Sequence, residues 1–121
     1  MNKRILVVED QDDNRRIMRD LLTSAGFDLI EATNGEEGVQ LAEKERPDLI
    51  LMDIQMPVVD GYAATRRIKA VAGLQDIPII VVTSYALSGD DEKAREAGAD
   101  GYVAKPFSPR ELLAKIRQFL P

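Results

Sequence analysis

Short, almost unbroken apolar runs limit what this chain can fold into more than any other feature. They are Ile5-Leu6-Val7-Val8, Leu49-Ile50-Leu51-Met52, Ile79-Ile80-Val81-Val82 and Tyr102-Val103-Ala104. Strands that lack a polar alternation are buried on both faces, as in a parallel sheet covered by helices. The segments between them supply those helices. Ile17, Met18, Leu21, Leu22 and Ala25 recur at helical spacing, and Gly26 gives a left-handed stop. Phe27 to Ala32 is a more mixed strand, suited to a place nearer an edge. Asn34-Gly35 opens a helix that buries Val39, Leu41 and Ala42 and ends before Pro47. After a strand over Asp48 to Met52 and a loop over Met56 to Gly61, a third helix turns Ala64, Ile68 and Val71 inward, and Gly73 ends it. Ser88 to Asp91 starts a fourth helix, which Gly98 ends, and Ser108-Pro109-Arg110-Glu111 combines cap, first-turn proline and capping-box acid ahead of Leu112, Leu113, Ile116, Phe119 and Leu120. Right-handed crossovers place such helices on both sides of the sheet. The expectation is a doubly wound α/β fold with five parallel strands and five helices, and the 121 residues suit one domain spanning 1–121.

Composition narrows the chemistry. The chain has no Cys, so disulfides, zinc–thiolate sites and thiol catalysis are excluded. It has no His, so any imidazole must come from a partner. A net charge of -5 argues against direct nucleic-acid binding, and Arg15, Arg16 and Arg19 read as a solvated helix face among acids. No apolar run approaches a membrane span, and a strand almost at the N-terminus argues against a signal peptide, so the expected compartment is the cytoplasm without membrane insertion.

Each apolar run ends on a residue able to handle a phosphoryl group, and parallel strands gather those ends at one edge, where ligands bind in open α/β sheets. Glu9, Asp10 and Asp53 together make a hard-oxygen site that selects Mg²⁺, with Mn²⁺ or Ca²⁺ as the alternatives. Glu9 and Asp10 can also serve as acids at a helix start, although Asp12 or Asp13 could do that equally well. Asp53 stands before a Pro-containing loop, where Asp is ordinary turn chemistry, but its carboxylate can also attack phosphorus to form an acyl phosphate. Thr83 and Ser84 offer hydroxyls to a phosphoryl oxygen, or simply close a strand. Lys105 is either a solvated surface lysine or the single cation facing three anions, and Pro106 permits a cis bond that would aim it into the site.

The order of these features, with the stretches Val7-Val8-Glu9-Asp10, Leu51-Met52-Asp53-Ile54-Gln55-Met56-Pro57 with Asp60-Gly61, Val82-Thr83-Ser84 and Gly98-Ala99-Asp100-Gly101-Tyr102-Val103-Ala104-Lys105-Pro106-Phe107, resembles the receiver domain of bacterial two-component response regulators. The resemblance covers Lys3 to Leu120 and implies a flavodoxin-like strand order 2-1-3-4-5. The segment Thr83 to Asp90 also resembles the single-domain, DivK-like subgroup and the receivers of hybrid kinases.

The resemblance implies that Asp53 is the phosphoacceptor for a phosphohistidine on a histidine kinase or histidine phosphotransfer protein. It further implies that Glu9, Asp10, Asp53 and the Gln55 carbonyl hold Mg²⁺, that Thr83 and Lys105 contact the phosphoryl oxygens, and that Ser84, Pro57, Gly61 and Pro106 shape the surrounding loops. Thr83 and Tyr102 are the implied switch residues. Their movement would alter the face formed by helix four, strand five and helix five, where a downstream protein target would dock. Gln55 and Tyr85 flank the path of attacking water. Such a chain would catalyse only its own phosphorylation and dephosphorylation. Three rivals share parts of this pattern. A Mg²⁺-dependent phosphatase with an aspartyl nucleophile needs a second Asp where this chain has Gln55. A flavin carrier needs a hydroxyl-rich phosphate loop where this chain has Glu9-Asp10-Gln11-Asp12-Asp13. A phosphorylation-independent interaction module would have no use for intact Asp53, Thr83 and Lys105.

Overall fold

The computed structural model describes residues 2–56, 58–83 and 90–120. Strands and helices alternate: β1 (Arg4–Val8), α1 (Asp12–Ser24), β2 (Asp28–Ala32), α2 (Gly35–Glu45), β3 (Leu49–Asp53), α3 (Gly61–Lys69), β4 (Ile79–Thr83), α4 (Asp90–Glu96), β5 (Gly101–Ala104) and α5 (Pro109–Phe119). The strands pair in parallel in the order β2-β1-β3-β4-β5, the expected doubly wound arrangement.

Alternate side chains of the central strands feed opposite faces. Leu6, Val8, Ile50, Met52 and Ile79 pack under Val39 and Ala42 of α2 and Ala64 and Ile68 of α3. Ile5, Val7, Leu49, Leu51, Ile80 and Val82 pack under Met18 and Leu22 of α1 and Leu112 and Ile116 of α5. A smaller group, Ile54, Val81 and Ala94, seats α4, with Tyr102 packed against it. At about 1.5–3 kcal/mol for each buried aliphatic side chain, these cores can offset the cost of crowding carboxylates at one edge. The mixed strand β2 is an edge strand, with only Ala32 fully buried.

Several boundaries follow local chemistry. Asn34 and Ser108 cap α2 and α5 by accepting from the amides of Glu37 and Glu111, and Asp60 caps α3 by accepting from the amide of Ala63. Three details differ from expectation. Ile17 is 59% exposed rather than inward, because the stripe of α1 that meets the sheet is centred on Met18 and Leu22. Strand β3 runs one residue later than expected and takes in Asp53. Helix α3 ends at Lys69, and Gly73 (φ +88) lies in the turn beyond it. Pro57, Ser84, Tyr85, Ser88 and Gly89 lie outside the described residues.

Candidate functional site

Strand register gathers the site. Val8 is opposite Met52, Asp53 is opposite Val82, and Thr83 is opposite Ala104. Glu9-Asp10, Asp53, Thr83 and Lys105 therefore leave the sheet at the same edge, within a rung or two of each other. Glu9, Asp10 and Asp53 each offer a carboxylate oxygen, and these oxygens lie within 4.8 Å of one another. Lys105 Nζ reaches between them, 3.1 Å from Glu9 Oε1 and 3.6 Å from Asp53 Oδ1. The Lys105–Pro106 bond is cis, as the sequence allowed. Thr83 is fully buried at the end of β4, and its carbonyl accepts from the Lys105 amide at 2.6 Å.

Gly61 has a direct steric role. A Cβ there would stand 2.2 Å from the Asp53 carbonyl oxygen and 2.7 Å from the Ile54 Cα. Only glycine lets the start of α3 close against the acceptor strand, where the Gly61 amide donates to the Ile54 carbonyl. The Gln55 amide approaches Asp53 Oδ1 at 3.4 Å, and the Gln55 residue is exposed. Tyr102 lies half-buried on β5 against the group that seats α4.

Crowding and burial perturb the acids. Glu9 is 2% exposed and Asp53 6%. Burial, then the negative charge of Glu9 and its close side-chain contact, push Asp53 up to about 7, while Lys105 pulls the other way. Burial also pushes Glu9 up, but its contact with Asp53, the Gln11 amide and Lys105 outweigh it and hold Glu9 below the ordinary carboxylate range. Asp10 is raised by burial and by Glu9 beside it.

The donor set fits a divalent hard cation. Three carboxylates converge with no nitrogen or sulfur ligand, and among the described residues Asp10 Oδ1 is buried without a hydrogen-bond partner. A buried acceptor of this kind costs stability unless something positive meets it. Beside the acids, a cavity of about 440 Å³ lined by Glu9, Asn14, Ile17, Met18, Lys105, Pro106 and Phe107 opens between α1 and the end of β5.

One neighbour of the site departs from the sequence reading. Arg15 is not on a solvated face; its side chain is 12% exposed. Its guanidinium donates to the Glu9 carbonyl at 2.9 Å, pairs with Asp12, and lies 3.7 Å from Glu31 on β2. Helical spacing alone could not find this, because the carbonyl and Glu31 belong to other elements. Glu31, between Ile30 and Ala32 of β2, was the available signal. Arg19, by contrast, is half exposed and forms a two-pronged pair with Glu31, and Arg16 is exposed.

The sequence matches the response regulator receiver domain family over residues 5–117. It is 41% identical over 120 residues to the polar-differentiation response regulator DivK of Brucella anthropi, covering 99% of this chain and 98% of that protein. Among solved structures, the receiver domain of sensor histidine kinase PA1611 from Pseudomonas aeruginosa superimposes with a TM-score of 0.92 at 39% identity, covering 99% of this chain and 98% of that one; it has a magnesium ion coordinated in its active site cleft. The chemotaxis protein CheY4 of Vibrio cholerae superimposes with a TM-score of 0.93 at 27% identity, covering 98% of this chain and 99% of that one. Among the described residues no helix is long and apolar enough to cross a membrane. A parallel sheet in the order 2-1-3-4-5, with acids, hydroxyl and lysine at one edge, thus meets agreement along nearly the whole sequence, and the chain belongs to the response regulator receiver domain family, a DivK-like member of a group whose general function is phosphorylation-dependent switching in two-component signalling.

Proposed function

We propose that this chain, as a single receiver domain over 1–121, accepts a phosphoryl group on Asp53 from a phosphohistidine. The donor is a histidine kinase or a histidine phosphotransfer protein, and it supplies the imidazole the chain lacks. The observation that carries the reading is the convergence of the Glu9, Asp10 and Asp53 carboxylates, with the Lys105 ammonium within 3.6 Å of Asp53 and Asp10 Oδ1 buried without a hydrogen-bond partner among the described residues.

Glu9, Asp10, Asp53 and the Gln55 backbone carbonyl would hold Mg²⁺, and Mn²⁺ suits the same oxygens. When bound, the cation neutralises charge on the incoming phosphoryl group. An Asp53 carboxylate oxygen attacks phosphorus as the phosphorus–nitrogen bond of the donor breaks, and the imidazole leaves with the bonding pair. Lys105 follows the negative charge as it moves onto the phosphoryl oxygens, and Thr83 donates its hydroxyl to one of them. Asp53 must shed its proton before it attacks, and a cation beside it favours that ionised form.

The aspartyl phosphate adds charge and acceptor oxygens beside Thr83. Inward movement of Thr83 would let Tyr102 follow. The face of α4, β5 and α5 would then change its affinity for a downstream protein target. Support comes from the placement of Tyr102 opposite Val81, two register positions before Thr83, and against Ile54, Val81 and Ala94. On this reading the chain works in the cytoplasm, catalyses only its own phosphorylation and dephosphorylation, and contacts neither nucleic acid nor membrane directly.

The test is incubation with acetyl phosphate and MgCl₂ followed by intact mass measurement. One phosphoryl mass on the wild type and none on Asp53→Asn is the expected result. No addition to the wild type, or equal addition to the variant, refutes the assignment and leaves a phosphorylation-independent interaction module.

A further inference from the structure

The turn that carries two of the three carboxylates is short and poorly capped. Gln11, the N-cap of α1, makes no side-chain cap bond. The Gln11 amide instead donates to Glu9 Oε2 at 3.2 Å, and the main chain of Glu9 anchors the turn from outside. Its amide donates to the Ala32 carbonyl at the end of β2 at 3.1 Å, and its carbonyl accepts from the Arg15 guanidinium at 2.9 Å. Arg15 is fixed in turn from two sides. It pairs with Asp12 one helical turn before it, and it faces Glu31 on the neighbouring strand, which Arg19 grips with two hydrogen bonds at 2.8 and 2.7 Å. Glu31 can reach α1 because it lies opposite Val7, whose side chain packs on the α1 and α5 side of the sheet. A planar fork with donors on several edges is suited to joining a carbonyl and two carboxylates at once.

We propose that Arg15 is a positioning residue for cation binding: it clamps the Glu9 carbonyl so that Glu9 and Asp10 present their oxygens toward Asp53, and Glu31 with Arg19 holds the clamp in place. The proposal deepens the Mg²⁺-dependent reading of the site and rests on it. Arg15 touches neither the cation nor the phosphoryl group; it acts through the backbone of a ligand. Outer partners of metal ligands commonly contribute about tenfold or more to affinity.

Charge and positioning predict opposite signs, which makes the idea testable. Removing a positive charge near a cation site should, by Coulomb's law alone, tighten Mg²⁺ binding. Loss of the clamp should weaken it. The experiment titrates MgCl₂ into wild type, Arg15→Gln, Arg16→Gln and Glu31→Gln, following the amide resonances of Asp10 and Asp53 well below the melting temperature. Arg16→Gln removes the same charge from an exposed neighbouring position. The expected result is a dissociation constant raised about tenfold in Arg15→Gln, raised by a smaller factor in Glu31→Gln, and unchanged or slightly lowered in Arg16→Gln. Melting curves without Mg²⁺ verify that each variant is folded at the titration temperature, and Arg15→Lys, which keeps the charge but loses the planar fork and is likewise expected to weaken binding, keeps the test open if Arg15→Gln is not. Unchanged or tighter binding in Arg15→Gln overturns the proposal, as does equal weakening in Arg16→Gln. Absence of Mg²⁺ binding by the wild type would instead refute the underlying reading of the site.

Discussion

Replacing Asp53 by asparagine should make the metal-free protein more stable above neutral pH. In the folded protein, burial and Glu9 raise Asp53 from the ordinary 3.8 to about 7. A group raised on folding contributes stability that is complete below its unfolded value and is lost as pH climbs through its folded value. For Asp53 that window runs from about 4 to about 7. At roughly 1.4 kcal/mol per unit the full loss is about 4 kcal/mol. Glu9 is held below its ordinary 4.5, so the stability it contributes is complete above about that pH and does not offset a loss that occurs as pH climbs toward 7. A penalty of up to about 4 kcal/mol at pH 8 follows. The substituted asparagine side chain keeps the shape and cannot ionise. For a domain of this size each kcal/mol moves the melting temperature by about 3–6 °C, so Asp53→Asn should melt on the order of 10 °C higher than wild type at pH 8 in EDTA. At pH 5 Asp53 is already protonated in the fold, and the difference should shrink to a degree or two. Saturating MgCl₂ at pH 8 should raise the wild-type melting temperature, by about 2.7 kcal/mol of stability at a hundred times the dissociation constant, and should raise that of Asp53→Asn less. Calorimetry or circular dichroism at the two pH values, with and without Mg²⁺, reads all four quantities. Equal wild-type and variant melting temperatures at pH 8, or a gain that is the same at pH 5, would refute the crowding argument.

Two further substitutions probe the same edge. Lys105→Gln removes the ammonium between Glu9 and Asp53; because the lysine is partly exposed, the expected cost is about 2 kcal/mol at pH 8 without metal, read by urea denaturation, and it should be smaller in saturating Mg²⁺. Gly61→Ala would place a Cβ 2.2 Å from the Asp53 carbonyl oxygen; with backbone on both sides of the clash, a loss of about 2–4 kcal/mol is expected, and an unchanged urea midpoint would show that α3 can retreat without cost.

The parts of this molecule that could be read in the sequence are those that sheet geometry makes unavoidable. Ile5 to Val8, Leu49 to Met52 and Ile79 to Val82 are apolar at every position because helices cover both faces. Once such strands are parallel, whatever follows each of them lies at one edge, so Glu9, Asp53, Thr83 and Lys105 meet without any further instruction. The strand order is a different matter. Periodicity says that β2 is mixed and thus peripheral, but it does not say on which side of β1 it lies; that came from resemblance. Ile17 shows the limit of helical spacing: apolar residues at 17, 18, 21 and 22 cover more of the circumference of α1 than the sheet can bury, and spacing cannot say which of them is left outside. Arg15 shows a second limit. On its own helix it has acids nearby and looks solvated, yet its partners are a strand-end carbonyl and a glutamate in another strand. Glu31 could have revealed it. A half-buried charged residue inside an edge strand, on the face that α1 covers, needs a cation from that helix, because a carboxylate there without one would be costly. The same reasoning puts the design pressure on β2: its mixed composition marks an edge strand and also supplies the anion that holds Arg15 against the turn bearing Glu9 and Asp10. If Glu31→Gln left Mg²⁺ affinity and metal-free stability both unchanged, the polar residues of β2 would be there only to keep an edge soluble, and the link from that strand to the site would be broken.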